Sequence, residues 1–169
     1  LPKALVADSD LCTGCEICAN ICAYKKFKVM NPRRARIAVI RDEPTLHDAP
    51  VFCIQCGLCI DSCPTGALSW KDDVVVVDET KCNGDGKCAL VCPYGAIHVD
   101  PVTNVAVKCD TCNGDPACVK WCPQGVLSFV DVKDAAFYKH RNTARLMSRH
   151  GADLWWGKYK LWMKPWYKR

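Results

Sequence analysis

Fifteen of the 169 residues are cysteines, and their spacing carries chemistry. Cys53, Cys56, Cys59 and Cys63 stand in a C-x2-C-x2-C-x3-C run closed by Pro64. Cys82, Cys88 and Cys92 repeat it before Pro93, with Asp85 where the second cysteine belongs. Cys12, Cys15, Cys18 and Cys22 form an earlier run, followed by Ala23 instead of proline. Cys109, Cys112, Cys118 and Cys122 form a later one; Gly114, Asp115 and Pro116 widen its loop and Pro123 closes it. Such a loop aims three thiolates at three corners of a cubane, while the fourth, on a short helix, points at a neighbouring cluster. Proline ends that helix, and the glycine two residues later (Gly66, Gly95) permits a turn that a side chain would obstruct. Zinc also takes C-x2-C pairs. Four runs, three of them with C-x3-C-P endings, favour iron–sulfur clusters instead.

The elements that must hold these loops are short. Ala4 to Ala7 reads as a strand, as do Ile37 to Ile40 and Leu127 to Val132. Lys25 to Arg36 is basic and contains the turn signal Asn31-Pro32; Glu43 to Pro50 reads as loop. Ala67 to Trp70 and Val74 to Val77 form a hairpin turning at Asp72-Asp73. Ala96 to Val99 and Val105 to Val107 form a second, turning near Pro101 to Asn104. Cys63-Pro-Thr-Gly-Ala-Leu, Cys92-Pro-Tyr-Gly-Ala-Ile and Cys122-Pro-Gln-Gly-Val-Leu make the internal repeat plain. With the first run there are four units. They predict an α+β fold of two pseudo-symmetric modules, with short hairpins and helices around metal. So small a domain has little room for an apolar core, so the clusters act as the core and folding depends on metal.

Composition bounds the rest. An odd cysteine count at metal-ligand spacing argues against a disulfide scaffold. The opening LPKALVADSD has neither a basic n-region nor an apolar h-region, which predicts a reducing, cytoplasmic compartment. No apolar run approaches the ~18 residues of a membrane span. Residues 1–132 carry 13 Lys+Arg against 16 Asp+Glu, and residues 133–169 carry 10 against 2. An anionic metal-bearing body therefore precedes a cationic tail. Asp134 to His150 reads as a helix capped by Gly151. Beyond it Trp155, Trp156, Tyr159, Trp162, Trp166 and Tyr167 stand among lysines. Trp and Tyr are favoured interface anchors, so the tail is read as docking on a partner; self-packing and an anionic membrane surface are the alternatives. Nucleic-acid binding would also use basic and aromatic residues, and the iron–sulfur body makes it a minor reading. Trp70 and Trp121 lie beside cysteine runs and are expected to shield clusters from water. His47, His98, His140 and His150 are scattered and read as surface or packing residues.

The whole pattern resembles the four-motif polyferredoxins, iron–sulfur electron-transfer subunits of molybdenum and tungsten oxidoreductases. Segment 53–99 is similar to a two-cluster clostridial-type ferredoxin, and the stretch from Lys108 to Pro123 resembles the outer motifs of those subunits. Within that group the resemblance is to the small subunit of the tungsten-dependent aldehyde oxidoreductase and ATP-independent benzoyl-CoA reductase family of strict anaerobes. It implies tandem bacterial ferredoxin-like modules. In that scheme 1–132 is the body, with 53–99 the inner module and 8–30 plus 105–132 the outer. Residues 133–169 form the basic tail. It also implies ligand pairing. Cys53, Cys56 and Cys59 share a cluster with Cys92; Cys82 and Cys88 share one with Cys63, with Asp85 available. Cys12, Cys15 and Cys18 share one with Cys122; Cys109, Cys112 and Cys118 share one with Cys22. Spacing alone equally allows the first run to pair with the second and the third with the fourth.

Three 4Fe–4S clusters are expected, plus a fourth site at Cys63, Cys82, Asp85 and Cys88. There Asp85 ligates one iron of a 4Fe–4S cluster or leaves the corner open, giving 3Fe–4S. The plain alternative is an empty site with Asp85 a solvated loop residue. No nucleophile, paired-carboxylate or phosphate-loop signature is present, so no substrate chemistry is assigned. The expected role is a non-catalytic relay of single electrons between a donor or acceptor protein and the buried cofactor of a catalytic subunit. A free soluble polyferredoxin and a redox-sensing interaction protein are the other two readings.

Overall fold

Residues 2–43, 47–138 and 140 are described in a computed structural model of the chain. Each cysteine run folds as a loop that enters a short helix. Helix α1 is Ile17–Phe27, α2 Leu58–Asp61, α3 Lys87–Val91 and α4 Ala117–Lys120. The first three are entered through a left-handed residue: Glu16 at φ 55, Gly57 at φ 83 and Gly86 at φ 73. The fourth is entered through extended Pro116, after Thr111, Cys112, Asn113 and Gly114 run left-handed in succession. Those four residues are how the widened loop still closes.

Eight strands pair as four antiparallel ribbons among the described residues. Strand β1 (Lys3–Ala7) pairs with β8 (Leu127–Asp131), in register Lys3 opposite Asp131. Strand β2 (Ile37–Asp42) pairs with β3 (His47–Phe52). Strand β4 (Leu68–Lys71) pairs with β5 (Val74–Val77), and β6 (Ile97–Val99) with β7 (Ala106–Lys108). Asp72 and Asp73, at φ 48 and 64, make the tight turn of the β4–β5 hairpin, where both central residues of a primed turn need positive φ.

Helix α1 packs on α4, and α2 on α3. Two small apolar clusters follow from this. Leu5, Ala19, Ala23, Ala35, Ile37 and Leu127 pack with Cys18, Cys22 and Cys118. Leu68, Val75, Ile97 and Ala106 pack with Cys59 and Cys88. Both clusters are built on cysteines.

Three expectations change. Glu43 to Pro50 is not all loop: His47 to Pro50 lie in β3, with Pro50 buried opposite Val39. A ribbon of two strands is edge on both sides, and an edge strand tolerates proline's missing N–H. The basic stretch after the first run begins inside a helix, because Ala23 lets α1 run on to Phe27 where proline stops its counterparts. Only after it do Asn31 and Pro32 turn the chain, the Asn31 side chain accepting from Arg33 N–H at 3.1 Å. The last helix starts at 132 and is described as far as 138 and at 140. The rest of that helix, its Gly151 cap and the aromatic tail lie outside the described residues.

Candidate metal centres

The cysteine sulfurs surround cavities rather than meeting at points. Cys12, Cys15, Cys18 and Cys122 line one, walled by Val39, Pro50, Val126 and Leu127. Cys53, Cys56, Cys59 and Cys92 line a second. Cys63, Cys82, Asp85 and Cys88 line a third. Cys22, Cys109, Cys112 and Cys118 form the fourth group. Burial raises the Cys118 thiol, and Cys109, Cys22 and Cys112 lie close enough to raise it further. All sixteen predicted positions therefore fall into four groups. In each, three members of one run meet the last cysteine of another.

The environment is apolar. Burial pushes the Cys18 thiol up to about 11 and those of Cys109 and Cys118 up to about 12. Buried thiols resist ionising alone, so holding four thiolates together requires metal charge. Backbone donors are already aimed at sulfur. Ala96 N–H reaches Cys92 at 3.4 Å and Val126 N–H reaches Cys122 at 3.3 Å, both four residues on. Arg36 N–H serves Cys22, Gln55 N–H serves Cys53 and Ala106 N–H serves Cys82, each at 3.4 Å. Such bonds to sulfur are one of the levers that set a cluster's potential.

Asp85 faces the cavity with Cys63, Cys82 and Cys88, its side chain 26% exposed. One carboxylate oxygen accepts Lys87 N–H at 3.1 Å, and the other lies 3.8 Å from the Lys87 ammonium. Trp70 and Trp121 are 54% and 61% exposed. More than half of each is in water, and the Trp70 ring lies across the second loop, 2.7 Å from where a Cβ on Gly57 would stand.

Several supporting residues had no sequence signal as site residues. Asp48 is buried against Gly14 of the first loop and is held by Arg41 through two bonds of 3.0 Å. Asp110 is clamped by Lys26 at 2.7 Å and Arg36 at 2.6 Å beside the fourth group. Asp100 is fully buried and takes a two-pronged grip from Arg34, at 2.9 and 2.7 Å. That guanidinium holds its carboxyl down to about 2. Lys108 is 2% exposed and makes three bonds from Nζ, to Gln55 Oε1, Val75 O and Cys109 O. The one available hint was position: Lys108 ends an apolar strand directly before a cysteine.

No helix among the described residues is long and apolar enough to cross a membrane.

Comparison with known proteins agrees on the chemistry. A 4Fe-4S dicluster domain profile matches residues 52–96, and a second profile of the same description matches 11–68. The second spans the first and second runs, although in the fold the first run faces the fourth. The chain is 32% identical over 119 residues to the putative electron transport protein YsaA of Escherichia coli, covering 64% of this chain and 74% of that one. It is 37% identical over 105 residues to the polyferredoxin-like subunit of aliphatic sulfonate oxidoreductase of Pyrococcus furiosus, covering 60% of each. Other ferredoxin-like relatives from Escherichia coli are longer, and the match spans about half of them, 52%. Among solved structures the chain is similar to one from the active site complex BamBC of benzoyl coenzyme A reductase. Identity is 27%, coverage is 90% of this chain and 93% of that one, and the TM-score is 0.45. By its cysteine runs, its profiles and its relatives, the chain belongs to the ferredoxin-like proteins built from 4Fe-4S dicluster domains.

Proposed function

We propose that the chain is the electron-transfer subunit of an oxidoreductase complex, passing single electrons along four iron–sulfur sites. The observation that carries this is the grouping of the first three positions of three runs with the last cysteine of another run around one space. In this reading Cys12, Cys15, Cys18 and Cys122 hold the first cluster. Cys22, Cys109, Cys112 and Cys118 hold the second, and Cys53, Cys56, Cys59 and Cys92 the third. Cys63, Cys82 and Cys88 hold the fourth, with Asp85 as oxygen ligand or beside an open corner. The clusters, when bound, supply reversible one-electron chemistry.

The chain's own residues set the path. Helix α1 carries Cys18 and Cys22 one turn apart, so it joins the first site to the second. Cys59 and Cys63 flank the end of α2 and join the third to the fourth. Cys53 lies close enough to Cys109 to raise its thiol, and Gln55 Nε2 donates to Cys109 O at 2.9 Å, joining the second to the third. The order is then linear, with the Asp85 site at one end. The inner module is 53–99 and the outer 8–30 with 105–132.

The resemblance of the motifs, and the place of the Pyrococcus relative as a polyferredoxin-like subunit of an oxidoreductase, support a catalytic partner. The finer reading is a cytoplasmic tungsten-pterin enzyme such as a benzoyl-CoA reductase or an aldehyde oxidoreductase. The Trp-rich tail docks on it and a second protein supplies or takes the electrons.

Iron and acid-labile sulfide per chain, with EPR before and after reduction of anaerobically purified protein, test the reading. About sixteen irons are expected if Asp85 or a solvent oxygen completes the fourth site, about fifteen with a three-iron signal if that corner is open, and about twelve if the site is empty. Zinc without sulfide would refute it. Native purification yielding the chain alone as a monomer would favour the free carrier.

A further inference from the structure

Lys108 is placed where a lysine is rarely found. It ends β7, is 2% exposed, and lines the same cavity as Cys53, Cys56, Cys59 and Cys92. Its nitrogen bonds Gln55 Oε1 at 2.9 Å, Cys109 O at 2.8 Å and Val75 O at 2.5 Å. Three acceptors on one nitrogen need three N–H donors, which only the ammonium supplies. All three are uncharged, and no carboxylate is among them. A buried cation is normally paired with an anion. The other cations near sulfur have one: Lys26 and Arg36 share Asp110, and Lys87 lies near Asp85. The scaffold holds the charge firmly, since Gln55 also accepts Val75 N–H at 3.1 Å and donates to Cys109 O.

We infer that Lys108 is an internal counter-cation for the site at Cys53, Cys56, Cys59 and Cys92, making it the most readily reduced of the four. This rests on the ligand reading proposed above. Adding one electron makes a thiolate-ligated site one unit more negative, and a fixed positive charge in a low-dielectric setting favours that state. The electron comes from the adjoining site or from a one-electron donor protein, which is oxidised by one. No bond forms or breaks and no proton is required. Because Lys108 stands beside the link from Cys53 to Cys109, electrons entering from either end of the row settle in its middle. The chain can then hold an electron until a partner is ready, instead of passing it straight through.

Redox titration followed by EPR on the full chain, purified anaerobically, tests this with K108M, K108Q and K108R. The shifted signal is assigned with Cys56→Ser, which changes a ligand of the same site. For both neutral variants the expected result is full iron content and one midpoint lowered by at least about tenfold in its reduction equilibrium, 59 mV for one electron. The other midpoints stay in place and K108R stays near wild type. If K108M and K108Q keep their iron and no midpoint moves, or if K108R falls as far as they do, the inference is wrong. If neither neutral variant retains the site while K108R does, Lys108 is a structural requirement and the inference also falls. Wild-type protein without iron or sulfide would instead remove the ligand reading itself.

Discussion

Arg34→Met removes the clamp between the segment after α1 and the β6–β7 hairpin. Asp100 has no exposed side-chain surface and Arg34 only 14%. Their two bonds, at 2.9 and 2.7 Å, join residues 66 apart in sequence. Breaking one partner from a buried pair costs roughly 3–5 kcal/mol, because the other charge is left behind. Thr103 still donates to the abandoned carboxylate through its N–H at 3.2 Å and its hydroxyl at 2.9 Å. That sets the expected cost at the lower end, about 3 kcal/mol. Methionine keeps most of the packing on Phe27, over which the guanidinium lies at 4.4 Å. With clusters present, unfolding is read as a rate. If the clamp forms late in folding, its loss speeds unfolding on the order of 100-fold. The assay is the decay of iron–sulfur absorbance at fixed denaturant under anaerobic conditions. R34M together with D100N should decay more slowly than R34M alone, since no charge is then stranded. A rate for R34M within about twofold of wild type, or a double variant faster than R34M, would refute the reasoning.

Other expectations are simpler to state. Asp85→Cys should complete the fourth site as an ordinary cubane, with about sixteen irons per chain and loss of any three-iron EPR signal; unchanged iron and EPR would sink the role given to Asp85. Gly14→Ala should cost the first cluster, because φ is +67 and its Cβ would stand 2.6 Å from the Asp48 carboxylate. Gly66→Ala, at φ +62 with nothing within 4 Å, should cost only about 1 kcal/mol and no iron. The Asp100 carboxyl is held at about 2 against an ordinary 3.8, so the stability it contributes is full above 3.8 and lost as pH falls toward 2. The stability gap between wild type and D100N, measured by denaturant unfolding across that range, should close in that window.

Local chemistry was legible and long-range pairing was not. The cysteine runs fix loop-then-helix units because spacing and helix-ending proline act within a few residues. Asp72-Asp73 marked its hairpin for the same reason. Ala4 to Ala7 and Leu127 to Val132 read as strands, but nothing local says that β1 and β8 pair. Strand β3 was hidden by Pro50, whose cost in a ladder disappears at the edge of a two-stranded ribbon. The grouping of runs was open in the spacing and came only through family resemblance. Lys108 was missed because lysine is ordinarily a surface residue, and its burial depends on three acceptors from Gln55, Val75 and Cys109.

The β1–β8 ribbon has a consequence for how the chain is made. Lys3 lies opposite Asp131, and Cys122 lines a cavity with Cys12, Cys15 and Cys18. During synthesis the residues of the 53–99 stretch all emerge before the last run exists. Its two sites can be loaded while the ribosome is still translating. The first run, although made earliest, must wait for residues 122 to 131 before its pocket and its strand partner are present. Until then Cys12, Cys15 and Cys18 stand exposed to oxygen and stray metal. Metal delivery should therefore reach the 53–99 stretch first, with the first and last runs closing together afterwards.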